Sequence, residues 1–215
     1  MKLSIIIVTR NSSIAVRTLH NLLNINGYAF TTENNSLELT YVNDDPFEKS
    51  QIINKKLKTS DKILFIEYGV SMDINSIKEI FKPMENNADC IVFPCVKPGV
   101  NWEMFRQKIV NNSKEPSNQM GLDFDTDVSN KISENYYKVN KTNPKCWIFN
   151  SKSILKHLKE KKGEGIKIPA QSEELFNKIL SKTNKVYAYV AADIHVTYQH
   201  ECLSKILNAA GINKD

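Results

Sequence analysis

No stretch of this 215-residue chain approaches the roughly 18 to 20 consecutive apolar residues needed to span a bilayer, so no transmembrane helix is expected. The glycine-rich phosphate cradles are missing too. Neither GxGxxG nor GxxxxGK followed by Ser or Thr occurs, which removes the usual dinucleotide-binding and P-loop classes. The four cysteines (Cys90, Cys95, Cys146 and Cys202) contain no CxxC pair and no regular framework, so thiols in a reducing compartment are expected. Residues 1–8 are too short for a signal peptide and lack a cleavage site. Basic residues are scattered rather than massed, and no nucleic-acid partner is expected. The net charge of +5 suits solubility or attraction of a phosphorylated ligand.

What is present is ordinary for a globular protein. Hydrophobic residues at 41% and charged residues at 25% exclude wholesale disorder. The length allows one sizeable α/β domain or two small ones. With no internal repeat and no linker, residues 1–215 are read as one domain, which is also compatible with being part of a longer, multidomain protein. The expected setting is soluble and cytoplasmic.

The most informative stretch is 62–73, a short apolar run that ends abruptly in Glu67-Tyr68-Gly69 and leads into a helical pattern carrying Ile74, Ile77, Ile80 and Phe81. Such a run reads as a buried parallel strand. Residues 3–8 form a similar run ending in Thr9-Arg10-Asn11. A helix with Val16, Leu19, Leu22 and Leu23 on one face and a stop at Asn26-Gly27 follows. Residues 37–42 form another strand, ending in Asn43-Asp44-Asp45-Pro46 ahead of a helix with Ile52, Ile53 and Leu57. Residues 88–93 are a fourth. Alternating strands and helices argue for a mostly parallel central sheet with helices on both faces. Ligands of such sheets bind beyond the carboxyl ends of the strands, where three polar loops would form one edge.

The second half is less regular. A short helix is expected near 100–110, then a polar, irregular stretch over 111–143, of the kind that is often functional. Order returns with a strand at 146–149 and a helix with Ile154, Leu155 and Leu158. Ser172-Glu173-Glu174 opens another helix, a strand region runs over 186–198, and a terminal helix carries Leu203, Ile206 and Leu207.

This order of parts resembles the GT-A glycosyltransferases, the family-2-like members in particular, over nearly the whole chain. There is a looser likeness to small GT-A domains of large algal DNA viruses, which would make the cytoplasm that of a host cell. The resemblance rests on the Thr9-Arg10-Asn11 loop, the paired Asp44-Asp45, the acidic turn at Glu67, the run from Cys146 to Leu155, Ser172-Glu173-Glu174-Leu175, and Tyr198-Gln199-His200. It implies a single GT-A (Rossmann-like) domain, with a nucleotide-binding half over 1–95 and an acceptor and catalytic half over 96–215. It also implies a nucleotide-sugar donor, UDP-linked in the first instance, and a hydroxyl acceptor on a glycan or glycoprotein. A hexosyl or deoxyhexosyl group would be transferred with inversion.

On this resemblance Thr9, Arg10, Asn43, Asp44, Asp45, Glu67, Tyr68 and Gly69 would bind the nucleotide sugar. Glu174, with Glu173 beside it, would supply the general base. Glu67 and His200 would be metal ligands for Mn²⁺ or Mg²⁺, and Trp102 would stack on the acceptor. Gly69 departs from the pattern, standing where the family has the last aspartate of Asp-x-Asp, and this puts metal dependence in doubt.

Each group also has a structural reading. Asn, Asp and Pro favour strand-ending turns, and acids in a first helical turn are favoured by the macrodipole. Asp73 is placed to cap a helix, Trp147 suits the core, and His195 and His200 suit surface or core. The stretch Asp123 to Asp127 has the acid spacing of a calcium loop but carries Val128 where that loop needs glycine. Two rivals remain. A catalytically silent nucleotide-sugar-binding domain is one. A nucleotidyltransferase is the other, although the glycine-free first loop argues against it.

Overall fold

The computed structural model describes residues 1–31, 36–115, 117, 119–159 and 166–190. His195, His200, Cys202 and the expected terminal helix lie outside the described residues, as does the strand region beyond residue 190. Eight strands form one sheet, with β1 at Lys2–Thr9, β2 at Ser36–Asn43, β3 at Lys62–Ile66, β4 at Cys90–Val92, β5 at Thr126–Ser133, β6 at Tyr136–Thr142, β7 at Cys146–Asn150 and β8 at Val186–Tyr189. Their spatial order is β2-β1-β3-β7-β4-β8-β6-β5. Strands β1, β2, β3, β4 and β8 point the same way, while β7 and β6 run against them.

The helices are α1 (Val16–Thr31), α2 (Pro46–Leu57), α3 (Ile74–Phe81), α4 (Trp102–Val110), α5 (Ser151–Leu158) and α6 (Ser172–Leu180). Successive side chains of a strand face opposite ways, and β1 uses both sides. Leu3, Ile5 and Ile7 pack with Leu22 and Ile25 of α1 and Ile77 and Ile80 of α3. Ile6 and Val8 pack with residues of α2, α5 and α6, among them Leu57, Ile154 and Phe176. The α/β architecture with helices on both faces is therefore present.

Several local expectations change. Helix α1 runs through Asn26-Gly27 rather than stopping there. Its buried face is Thr18, Asn21, Leu22 and Ile25, leaving Val16, Leu19 and Leu23 exposed. The cause is polar: Thr18 Oγ1 and Asn21 Nδ2 both donate to the Val70 carbonyl, at 3.1 and 3.0 Å, and turn that face inward. The stretch read as irregular over 111–143 contains the β5–β6 hairpin. Strand β5 is an edge strand, exposed along most of its length and interrupted by register shifts, so it shows no apolar alternation. Asp73 caps α3, accepting from the Asn75 and Ser76 amides.

Asp125 ties the hairpin to the central strands. Its Oδ1 accepts from the Cys95 amide (3.0 Å) and from Thr126 Oγ1 (2.8 Å), and its Oδ2 accepts from the Lys145 amide (3.1 Å). Burial pushes its carboxyl pKa up, although these hydrogen bonds oppose the shift. This carboxylate serves the fold rather than a calcium loop. Asp125→Ala would strand two amides away from water, and a loss of about 2–3 kcal/mol of stability is expected. Urea unfolding would read it as a lower midpoint with an unchanged slope.

Candidate active site

The strand ends β1, β2 and β3 deliver their polar loops to one edge, as the alternation requires. After β1 the chain turns tightly. Arg10 and Ser13 exchange backbone hydrogen bonds at 3.1 and 2.9 Å, with Asn11 and Ser12 between them at positive φ. Two successive left-handed residues make a type I′ turn, costly for a serine by about 1–2 kcal/mol. The turn fixes Arg10, whose Nε donates to Asp44 Oδ2 at 2.9 Å and whose guanidinium lies 5.0 Å from the centre of the Tyr68 ring.

Asp44 is shared. Lys49 Nζ, from the first turns of α2, donates to its Oδ1 at 2.8 Å and lies 3.6 Å from Glu67 Oε2. The hydrogen bond from Lys49, then that from Arg10, holds the Asp44 carboxyl below its ordinary range against the opposing effect of burial. Glu67 behaves oppositely. Burial pushes its pKa up, and the Lys49 charge is the main influence holding it down. Lys49 was not singled out from the sequence. Only its position one helical turn after the Asp45 cap could have pointed to it.

Glu67 begins a four-residue turn, closed by the Val70 amide on the Glu67 carbonyl at 3.2 Å, with Gly69 at the third position and φ +81°. A turn with positive φ there favours glycine, which accounts physically for the missing acid. Asp45 is occupied differently from its neighbour. It caps α2, its Oδ1 accepting from the Glu48 amide at 2.7 Å, with Pro46 at the helix start. Thr9 donates to the Val42 carbonyl at 3.1 Å, and Asn43 Nδ2 donates to Glu48 at 3.3 Å. These two line a separate cleft of about 420 Å³ with Ser12, Leu19 and Tyr41.

A cavity of about 390 Å³ joins the two halves of the chain. Lys49, Glu67 and Phe65 line one side, Glu173 and Glu174 at the start of α6 another, with Asn143 and Trp147 between. Both glutamates are exposed, and Glu173 lies 4.0 Å from Lys141 Nζ. Trp147 is a core residue, stacked on Phe65 and Phe149. Trp102 does not join this cavity; it is half-exposed on α4, edge-on to Phe105.

The described residues do not fit a divalent cation. Glu67 and Asp44 are already turned onto Lys49, Asp45 and Asp73 are engaged as caps, and Gly69 offers no ligand. No cluster of three or more His, Cys, Asp or Glu able to hold a metal occurs among the described residues. His200, the other expected ligand, lies outside them.

No protein-family model matches the sequence, and no curated protein matches it. Among solved structures, the chain is similar to A197 from STIV, at 11% identity, covering 88% of this chain and 82% of that one with a TM-score of 0.48. It is similar to S. aureus TarS 1-349 at 14% identity, covering 100% of this chain and 66% of that one with a TM-score of 0.47. For HddC from Yersinia pseudotuberculosis the identity is 9%, the coverage 87% and 89%, and the TM-score 0.44. At TM-scores no higher than 0.48 these likenesses carry no conclusion about chemistry, which rests on the cavity.

Removing the Lys49 charge takes away the main influence opposing the effect of burial on Glu67. In Lys49→Met the Glu67 pKa is therefore expected to rise further above the ordinary carboxylate range. A ¹³C carboxyl NMR titration of metal-free protein checks this, and an unchanged or lower value would contradict the assigned pairing.

Proposed function

We propose that the protein is a glycosyltransferase that moves a sugar from a nucleoside diphosphate, UDP in the first instance, to a hydroxyl acceptor on a glycan or glycoprotein. The observation that carries this reading is the single cavity lined by Glu67 and Lys49 from the strand-end edge and by Glu173 and Glu174 from α6. A nucleotide-binding edge and a solvent-accessible carboxylate pair facing one space are what glycosyl transfer needs. A volume of about 390 Å³ falls in the usual range for ligand sites.

In this reading Glu67 hydrogen-bonds the ribose, while Arg10 and Lys49 meet the diphosphate. Tyr68 and Gly69 shape the turn beneath it. Thr9 and Asn43, which line the separate cleft on the same strand-end edge, contact the base. The acceptor oxygen attacks the anomeric carbon, the carbon–oxygen bond to the diphosphate breaks with its electron pair going to the phosphate oxygen, and the acceptor proton passes to Glu174. Direct displacement of this kind inverts the anomeric centre.

The acceptor side is assigned to a larger cavity of about 730 Å³ lined by Met104, Leu122, Phe124, Asp127 and Val128. The two cavities flank one backbone link. Asn143, which lines the first, donates its amide to the Asp125 carbonyl at 3.0 Å, and the adjacent Thr126 lines the second. Trp102, half-exposed at the start of the same helix as Met104, does not line this cavity and would stack only on an acceptor that extends beyond it. A catalytically silent sugar-nucleotide-binding domain is the second reading, favoured by the placement of both glutamates in a first helical turn, where the macrodipole alone would keep them.

Calorimetric titration of UDP and GDP tests the binding half. Micromolar to millimolar UDP binding is expected, and no binding of either nucleotide would overturn the reading. For the chemical half, Glu174→Gln is expected to lower the rate of UDP release from UDP-sugars with a glycan acceptor panel by about 10²–10⁴-fold while leaving UDP affinity unchanged. Turnover equal to that of the unaltered protein would remove Glu174 from the mechanism.

A further inference from the structure

We propose that the Lys49 ammonium is a built-in cation that takes the place of a divalent metal, neutralising the diphosphate of the bound donor and of the departing nucleotide. The inference rests on the nucleotide-sugar reading above and concerns how that site manages charge.

Two carboxylates from two strand ends converge on one point. Asp44 follows β2 and Glu67 follows β3, and the atom between them is Lys49 Nζ, at 2.8 and 3.6 Å. Converging carboxylates of this kind commonly hold a hard cation. Here the cation is covalently tethered, delivered by a helix whose start is set by the Asp45 cap and Pro46. Nearby acids that could complete a metal shell have other work or are missing. Asp45 and Asp73 cap helices, and the turn conformation at Gly69 disfavours a side chain.

The ammonium is also well placed to act. Lys49 lines the cavity that Glu174 lines, and its side chain is only 18% exposed, so its charge is less screened than that of a surface lysine. Its two partners fix its position before any ligand arrives. Asp44 is also paired with Arg10 at 2.9 Å, so Lys49 shares one of its two carboxylates with a second cation. When the bond between the anomeric carbon and phosphate oxygen breaks, the oxygen gains the electron pair and the diphosphate one further negative charge. Lys49 offsets that charge without a metal ion.

The test titrates UDP and uridine into the whole protein in EDTA and in MnCl₂, with Lys49→Gln and Lys49→Arg alongside. The expected result is a UDP affinity that differs less than about twofold between the two buffers, since no bound metal contributes. Lys49→Gln is expected to weaken UDP by about tenfold or more, the scale of one lost charge-assisted contact, and to weaken uridine, which reaches Lys49 only through Glu67, by a smaller factor. Lys49→Arg should retain most of the UDP affinity. UDP binding that appears only with Mn²⁺ would overturn this inference and leave the nucleotide-sugar reading standing. Undiminished UDP binding by Lys49→Gln would overturn the assignment to Lys49. Failure of the unaltered protein to bind any nucleotide in either buffer would sink the reading and this inference together. The comparison of buffers needs no variant, so a poorly folded substitution does not protect the idea.

Discussion

The antiparallel pairing of β7 with β3 joins the two halves of the chain, and the site depends on it. Lys62 to Ile66 is buried on both faces, with β1 along one edge and β7 along the other. The ladder continues into the loop, where the Glu67 amide donates to the Lys145 carbonyl at 2.9 Å. Because β7 enters at Cys146 beside the point where β3 ends, the segment carrying Asn143 and Lys145 comes to the ligand edge. The β7 residue Trp147, stacked on Phe65 of β3, forms the floor on which α6 rests through Phe176. Glu173 and Glu174 thus come to line one cavity with Glu67 through packing, despite more than a hundred residues of separation.

Several buried polar groups of the scaffold are engaged by partners on neighbouring elements. Lys62 donates to the Ile80 and Lys82 carbonyls, closing the end of α3, and burial pushes its pKa down. Asp89, before β4, is pushed up by burial but held below the ordinary range by the Ser153 and Thr183 hydroxyls and by His157. Those partners sit on α5 and before β8, so one carboxylate locks three elements at the sheet edge opposite the cavity. The Tyr136 hydroxyl donates to Glu79, tying the hairpin to α3. Unpaired, each of these groups would cost more than its hydrogen bonds return.

Legibility in the sequence varied with how much each element relied on its own neighbours. Strands β1 and β3 are continuous apolar runs, because both faces are covered by helices. Their polar ends at Arg10 and Glu67 were therefore readable as a ligand edge. The acidic pair on α6 was readable as a candidate for the same reason that makes it ambiguous, since a helix start favours acids whatever their use. Strand β5 was not readable, because an exposed, bulged edge strand carries no burial pattern. The inward face of α1 departs from its apolar pattern, because two polar side chains win over three apolar ones by hydrogen-bonding a loop carbonyl. Lys49 looked like any of the scattered lysines.

The sequence by itself determined the α/β alternation, the positions of the buried strands and the residues crowded at their ends. Those follow from local periodicity and from where apolar runs stop. The tertiary structure alone decided that β7 runs between β3 and β4, that Asp125 is a structural brace, and that Lys49 stands between Asp44 and Glu67 in the cavity shared with Glu174. Apart from the Asp44–Lys49 pair, which are five residues apart, these are contacts between segments distant in the chain, set by burial and charge pairing on folding rather than by a local pattern of residues.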